Sequence, residues 1–513
     1  MGAAPIVEQQ VRFGEARGRW VLLATVLGSG MAMLDATVVN VALRKIGTDL
    51  GADLGGLQWT LNGYTLTLAS FILLSGSLAD RFGRRRLFII GSAWFAVASA
   101  VCGLAPNIEL LIAARALQGI GGALLTPGSL AIISASFSSE DRAKAIGAWS
   151  GLGGIAGALG PFIGGWLIDL WSWRLVFLIN LPVAALVITV ALRHVPESFD
   201  PTAARKLDVT GAAAGALGLA GLTYASIAAG RDGLSVTTVG TGVIGVLALA
   251  ALVVVERRSR HPMVPPALFA SRQFTAANLV TFATYAALGA VFFLLVLDLQ
   301  VVAGFSALAA GAALLPVTLI MLVLSARSGA LAQRIGPRLQ MTAGPLIAAA
   351  GLLLTIRIGA GANYLTDVLP PVILFGLGLS TLVAPLTATV LAAAPAEHAG
   401  VASGVNNAVA RAAGLLAVAL LPTLAGLSGA DYESASAFDS GFRTAILIAA
   451  GLLVTGGLLS AVLISNEPPA PDGGSGAGPP AGEPVAETGL THCFSCPVEG
   501  PRLETVQPAR GRS

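Results

Sequence analysis

Gly76-Ser77-Leu78-Ala79-Asp80-Arg81-Phe82-Gly83-Arg84-Arg85 is a tight, strongly charged turn between two long apolar runs. A weaker copy, Gly329-Ala330-Leu331-Ala332-Gln333-Arg334-Ile335-Gly336-Pro337-Arg338, returns 253 residues later. Two like turns at that offset predict an internal repeat, with two halves built to one plan.

Composition agrees with this reading. Of 513 residues, 55% are hydrophobic and only 11% charged, and the mean hydropathy is +0.80, a balance foreign to soluble domains. The apolar runs are about 20 residues long, the length a helix needs to cross roughly 30 Å of hydrocarbon. Breaks between runs predict spans near 20–41, 56–76, 87–105, 108–131, 144–168 and 174–192. A pair follows near 209–229 and 236–255, then six more near 274–297, 307–326, 339–357, 366–391, 401–424 and 441–464. The expected fold is therefore an all-α membrane protein of fourteen transmembrane spans, two six-helix bundles plus two inserted helices. Its divisions are a cytoplasmic N-terminus (1–19), an N-terminal bundle (20–208), an inserted hairpin (209–255), a C-terminal bundle with its preceding loop (256–465) and a disordered cytoplasmic tail (466–513).

Arginines concentrate on alternate loops, at Arg81, Arg84, Arg85 and Arg86, at Arg257, Arg258, Arg260 and Arg272, and at Arg327, Arg334 and Arg338. By the positive-inside rule these loops, and both termini, are expected in the cytoplasm. The first apolar run is full length and leads straight into the fold, so no cleavable signal peptide is expected. The net charge of +3 is spread over short loops and forms no basic face for nucleic acid. No Gly-x-x-x-x-Gly-Lys phosphate loop occurs, which argues against ATP as driver. The four histidines are scattered and no nucleophile–base–orienter set is visible, so neither metal, cofactor nor enzymatic site is expected. The tail holds His492 and a Cys493/Cys496 pair, one ligand short of a zinc site.

Ionised groups inside apolar spans are costly unless paired or facing water. Asp35 and Arg115 both fall about 9 to 11 Å below the expected outer surface, counted at about 1.5 Å per residue. One shared layer lets them face each other across a polar cavity as a proton switch, or pair statically. Gln118, one turn from Arg115, widens the stripe. Further candidates for a substrate cavity are Asp298 and Gln300 near the outer end of span 9, and Asn406, Asn407 and Arg411 in span 13. In span 5, Gly157, Gly160, Pro161 and Gly164 combine close-packing glycines with a backbone break, the makings of a pivot. Gly76, Asp80, Arg81, Gly83 and Arg84 are the candidate conformational latch.

These motifs resemble a known family. Gly76–Arg86 matches the inner-loop signature of major facilitator superfamily transporters, and Leu111–Gly121 the span 4 signature whose Arg, here Arg115, the family associates with proton coupling. Ala156–Gly165 is similar to the span 5 signature of exporters, and Leu34–Leu43 to the span 1 signature of the 14-span drug/proton antiporter branch named after EmrB and QacA. Three positions depart: Gln333 replaces an acidic residue in the second loop copy, Asp298 stands where relatives often carry Tyr, and Arg44 replaces a Pro. The resemblance implies a proton-driven exporter of amphipathic, cationic or neutral organic compounds, working by alternating access in the cell membrane. Within the class, export of one endogenous metabolite or self-made antibiotic is the alternative; an uptake symporter and a non-transporting membrane sensor are the remote ones.

Overall fold

The computed structural model describes residues 11–199, 208–259, 262, 264–395, 399–429 and 431–466. The expected tail, with His492, Cys493 and Cys496, lies outside these apart from Asn466. Among the described residues all regular structure is helical save one bridge between Val11 and Phe137. The helices are α1 (Ala16–Leu50), α2 (Leu54–Phe82), α3 (Arg84–Leu104), α4 (Ile108–Ser136), α5 (Ser139–Leu170), α6 (Leu175–His194, broken at Ile179), α7 (Val209–Asp232) and α8 (Val236–Arg258). The second series is α9 (Arg272–Val301), α10 (Ala307–Ile335, broken at Leu314), α11 (Pro337–Thr355), α12 (Tyr364–Ala392, opening on a π turn), α13 (Ala399–Leu424) and α14 (Ala435–Leu463).

Twelve of these are long and apolar enough to cross a membrane, or thirteen when α2, bent by 54° between Leu54–Ile72 and Leu74–Phe82, is taken as one span. The expected count of fourteen exceeds this by one. The remaining helix is α11, whose first turn carries Pro337, Arg338 and Gln340. Several helices start on a side chain that takes up an otherwise orphaned N–H. The Asp53 carboxylate accepts from Gly56 N at 2.8 Å, the Asn107 side chain from Leu110 N at 2.9 Å, and the Asp208 carboxylate from Gly211 N at 2.8 Å.

The repeat is visible in the packing. In the first half α1 packs against α5 and α6, α2 against α4, and α3 against α4 and α6. In the second, α9 packs against α13 and α14, α10 against α12, and α11 against α12 and α14. It extends to single atoms. Gly83 turns the chain between α2 and α3 at φ +104°, and Gly336 between α10 and α11 at φ +83°, a region open to glycine. The Glu197 carboxylate sits over the first turn, accepting from Arg85 N at 3.0 Å and Arg86 N at 3.2 Å; the Asn466 side chain sits over the second, accepting from Arg338 N at 3.0 Å.

Among the described residues five prolines lie inside helices, and at Pro127, Pro161, Pro385 and Pro422 another helix reaches the carbonyl four residues earlier, which has lost its helical donor. In an apolar medium that carbonyl needs another. Ser75 Oγ of α2 donates to Ala123 O, freed by Pro127, at 2.6 Å, and Ser328 Oγ of α10 donates to Thr381 O, freed by Pro385, at 2.9 Å. Ser328 is Ser75 displaced by the repeat offset. Thr37 Oγ1 of α1 donates to Gly157 O, freed by Pro161, at 2.9 Å. Gln58 Nε2 of α2 donates to Val418 O, freed by Pro422 of α13, at 2.7 Å, across the two halves.

Helix α7 packs on one helix of each half, α2 and α13, while α8 packs on α7. Thr423 Oγ1 of α13 donates to Ser226 O at 3.0 Å, tying the hairpin to the second half. The pair meets through glycine: a β-carbon on Gly221 would lie 2.8 Å from Thr241 O and 2.9 Å from Gly245 Cα. Gly221→Val is therefore expected to cost about 1 to 3 kcal/mol through overpacking. A detergent-solubilised melting curve should show a loss of a few degrees, and an unchanged curve would mean the helices part at no cost.

Candidate functional site

The centre of the first half is a closed polar cluster. Asp35 of α1 and Arg115 of α4 are ion-paired, with side chains 0% and 1% exposed. One carboxylate oxygen accepts from the Arg115 guanidinium. The other accepts from Gln118 Nε2 at 2.8 Å and from Asn180 Nδ2 of α6 at 3.1 Å. Both amides also donate to Ser99 Oγ of α3, at 2.6 and 3.0 Å. Arg115 donates from Nε to Thr60 O of α2 at 3.0 Å and to Gln118 Oε1 at 2.6 Å, and its guanidinium lies 4.3 Å from the centroid of the Tyr64 ring. Five helices thus contribute to one network. Donors surround the carboxylate, as a buried negative charge requires.

Sequence reading placed Asp35 and Arg115 in one layer, and the structure brings them into direct contact. It does not set them across an open cavity, because α3 and α6 close over the pair. Ser99 and Asn180 escaped notice; Asn180 stands as an isolated amide in Leu178-Ile179-Asn180-Leu181, the available signal. Gln118, expected on a cavity wall, belongs to this cluster, since a residue three positions after Arg115 shares its helix face.

The other cavity candidates separate. Gln300 is buried at the end of α9 remote from the Asp80 turn, where its Nε2 donates to Val41 O of α1 at 3.1 Å and its own carbonyl accepts from Arg44. It joins the halves and also lines a pocket there with Arg44, Asp169 and Ser306. Asp298 is not in solvent: it is fully buried, and both carboxylate oxygens lack a hydrogen-bond partner. Its charged neighbours are Asp439 and Arg443 of α14, which pair with each other at 3.0 Å. Asn406 is bound within the second half, donating to Asn278 Oδ1 at 3.2 Å and Thr281 Oγ1 at 2.7 Å on α9. Asn407 and Arg411 are half-buried on α13.

The span 5 motif lies at two close approaches. Gly160 and Gly164 admit Thr37 and Val38 of α1, while Gly165 abuts the Leu308 backbone and Pro161 O meets Gly311 of α10 in the other half. Nearby, the Asp169 carboxylate accepts from Ala307 N at 3.2 Å and Leu308 N at 2.9 Å. These contacts all lie at the end remote from the Asp80 turn. At the Asp80 end, Asp80 pairs with Arg84 at 2.8 Å and Arg81 lies over the Phe82 ring, while Gly76 has open space where a β-carbon would stand. Among the described residues no group of three or more His, Cys, Asp or Glu side chains could hold a metal ion.

Residues 25–418 match the profile of the Major Facilitator Superfamily. The chain belongs to that superfamily. This superfamily member is 37% identical over 389 residues to the multidrug resistance protein Stp of Mycobacterium tuberculosis, covering 75% of this chain and 72% of that one. It is 34% identical over 485 residues to a puromycin resistance protein of Streptomyces alboniger (92% and 96%), and 36% identical over 416 residues to a tetracenomycin C resistance and export protein of Streptomyces glaucescens (80% and 76%). Among solved structures, a bacterial homologue of the lysosomal transporter Spinster, inward-facing and occupied, aligns with TM-score 0.61 at 16% identity over 87% of this chain and 97% of that one. The peptide-transporter-family protein PepTSo aligns with TM-score 0.64 at 15% identity, over 87% and 97%. The superfamily fold and the many apolar helices make this a multi-pass membrane transporter.

Proposed function

We propose that this chain exports amphipathic organic compounds, antibiotics among them, in exchange for protons, as a member of the 14-span drug/proton antiporter branch. Relatives named for drug and antibiotic resistance support the cargo class. Proton coupling rests on one observation, the Asp35–Arg115 pair sealed in the core of the first half. A buried ion pair with a full donor set is stable only while both charges are present. Adding a proton to the carboxylate leaves Arg115 without its counter-charge and favours rearrangement of α1 against α4. Asp35 is thus the proton carrier and Arg115 its counter-charge, while Asn407 and Arg411, half-buried on α13, are the cargo contacts.

The halves are joined by Arg44, Gln58, Asp169 and Gln300 at the end remote from the Asp80 turn. In the orientation set by the basic loops, that end is extracellular, both termini are cytoplasmic, and the protein resides in the cell membrane with all fourteen helices spanning it. The α5 glycines and Pro161 are the pivot there, and the Asp80–Arg84 turn is the latch on the cytoplasmic side. One proton entering down about 120 mV yields roughly 2.8 kcal/mol, enough for about a 100-fold gradient of a neutral compound. Protons are the only coupling partner needed, with no cofactor, ATP or nucleic acid. A dedicated exporter of one self-made antibiotic is the second reading, favoured by the likeness to the tetracenomycin C protein.

Proteoliposomes holding the purified full chain test this. With an imposed pH gradient, the neutral dye Nile red should move uphill, its addition should trigger proton release down the gradient, and a protonophore should abolish both. Uphill movement indifferent to the protonophore would overturn proton coupling.

A further inference from the structure

A helix that touches both halves carries a cation with no ion-pair partner among the described residues. Arg411 lies on α13, a helix that packs against α9 in its own half and against α2 in the other. Its Nε is buried without a hydrogen-bond partner, and among the described residues no ion pair involves it. Its charge bears on two tyrosines, Tyr64 of α2 and Tyr285 of α9, one from each half. Three acids of the spanning helices have other surroundings. Asp35 is held by Arg115, Gln118 and Asn180, Asp169 accepts the first N–H groups of α10, and Asp298 lies beside α14.

We propose that the Arg411 guanidinium is the recognition site for an organic anion, a carboxylate or phenolate carried by the exported compound. A guanidinium offers a planar fork of donors that matches those oxygens and is never neutralised at working pH. An intramembrane charge is stable when a partner or water completes it, so a cargo anion supplies what the protein withholds. Tyr285, Leu288 and Phe292 form a partly exposed stripe on α9, an apolar wall for the body of such a molecule. Tyr64, whose ring covers Arg115, is shared between Arg411 and the ion pair. The anion site departs from the sequence-based expectation of cationic or neutral cargo, and it rests on the exporter reading above.

Three dyes separate the two ideas: fluorescein as anion, rhodamine 6G as a cation on the same xanthene frame, and Nile red as neutral compound. The full chain in detergent should bind fluorescein at least tenfold more tightly than rhodamine 6G by fluorescence anisotropy. In proteoliposomes, Arg411→Gln should lower the ratio of fluorescein to Nile red export by about 10- to 100-fold, the worth of a charge-assisted hydrogen bond. Arg411→Lys, which keeps the charge without the fork, should fall between. Equal affinities for the two xanthenes in the parent, or an unchanged ratio in Arg411→Gln, would overturn the anion site while the exporter stands. No energised movement of any of the three dyes by the parent would instead remove the exporter reading and this inference with it. Should Arg411→Gln not fold, the parent's xanthene preference and the Arg411→Lys ratio decide.

Discussion

Replacing Asp35 with Asn is expected to abolish uphill export while leaving downhill exchange of the same dye across the bilayer. The side chain keeps its shape but loses its charge, and its new N–H2 points into a shell of donors from Arg115, Gln118 and Asn180. An amide cannot take up and release a proton, so the free energy of the proton gradient no longer reaches the cargo. An accumulation ratio near 100-fold at about 120 mV should fall to about one. Nile red counterflow, which needs no energy, reports that the altered protein still binds and reorients. Asp35→Asn protein that still concentrates dye and still takes up protons on dye addition would move coupling to another carboxylate. Asp298, a buried acid whose oxygens lack a hydrogen-bond partner, would be next.

The second large effect is expected at Arg115. Removing one partner of a buried ion pair leaves an uncompensated charge and typically costs about 3 to 5 kcal/mol. Arg115→Ala also strips the donor from Thr60 O and the cation from the Tyr64 ring. Poor yield and a markedly lower melting temperature in detergent are expected. Arg115→Ala combined with Asp35→Asn removes both charges and should recover much of the lost stability without restoring uphill export. Were Arg115→Ala as stable as the parent, with no gain from the second change, the pair would contribute little to the fold. The proton-carrier reading would then lose its physical basis.

The repeat was legible because its turns need unusual residues. Gly83 and Gly336 occupy backbone conformations that disfavour side chains, and charges at the end of an apolar run mark a loop wherever they occur. The shared layer of Asp35 and Arg115 was legible too, since the rise per residue converts sequence position to depth. Direction around the helix was not, and this is where the expectation for Gln118 fails. Whether a polar residue in apolar surroundings faces a cavity or a neighbouring helix depends on which helices close over it. Ser99 and Asn180 come from helices that sequence places nowhere in particular relative to α1. The partners of the proline-freed carbonyls were likewise unreadable, because each donor belongs to a different helix from its acceptor.

Those carbonyls carry a consequence for the transport cycle. The bonds from Ser75, Ser328 and Thr37 stay within one half, so they survive any rigid rocking of one half against the other. Gln58 reaches Val418 O from the opposite half, and rocking that parts the two at that end must pull it away. The carbonyl left beside Pro422 then has neither a helical nor a side-chain donor, an arrangement that hydrocarbon does not tolerate. Water has to arrive as Gln58 departs. Opening toward that face and wetting of the α13 break are a single event, and the barrier to it is set by how readily one water molecule replaces one glutamine.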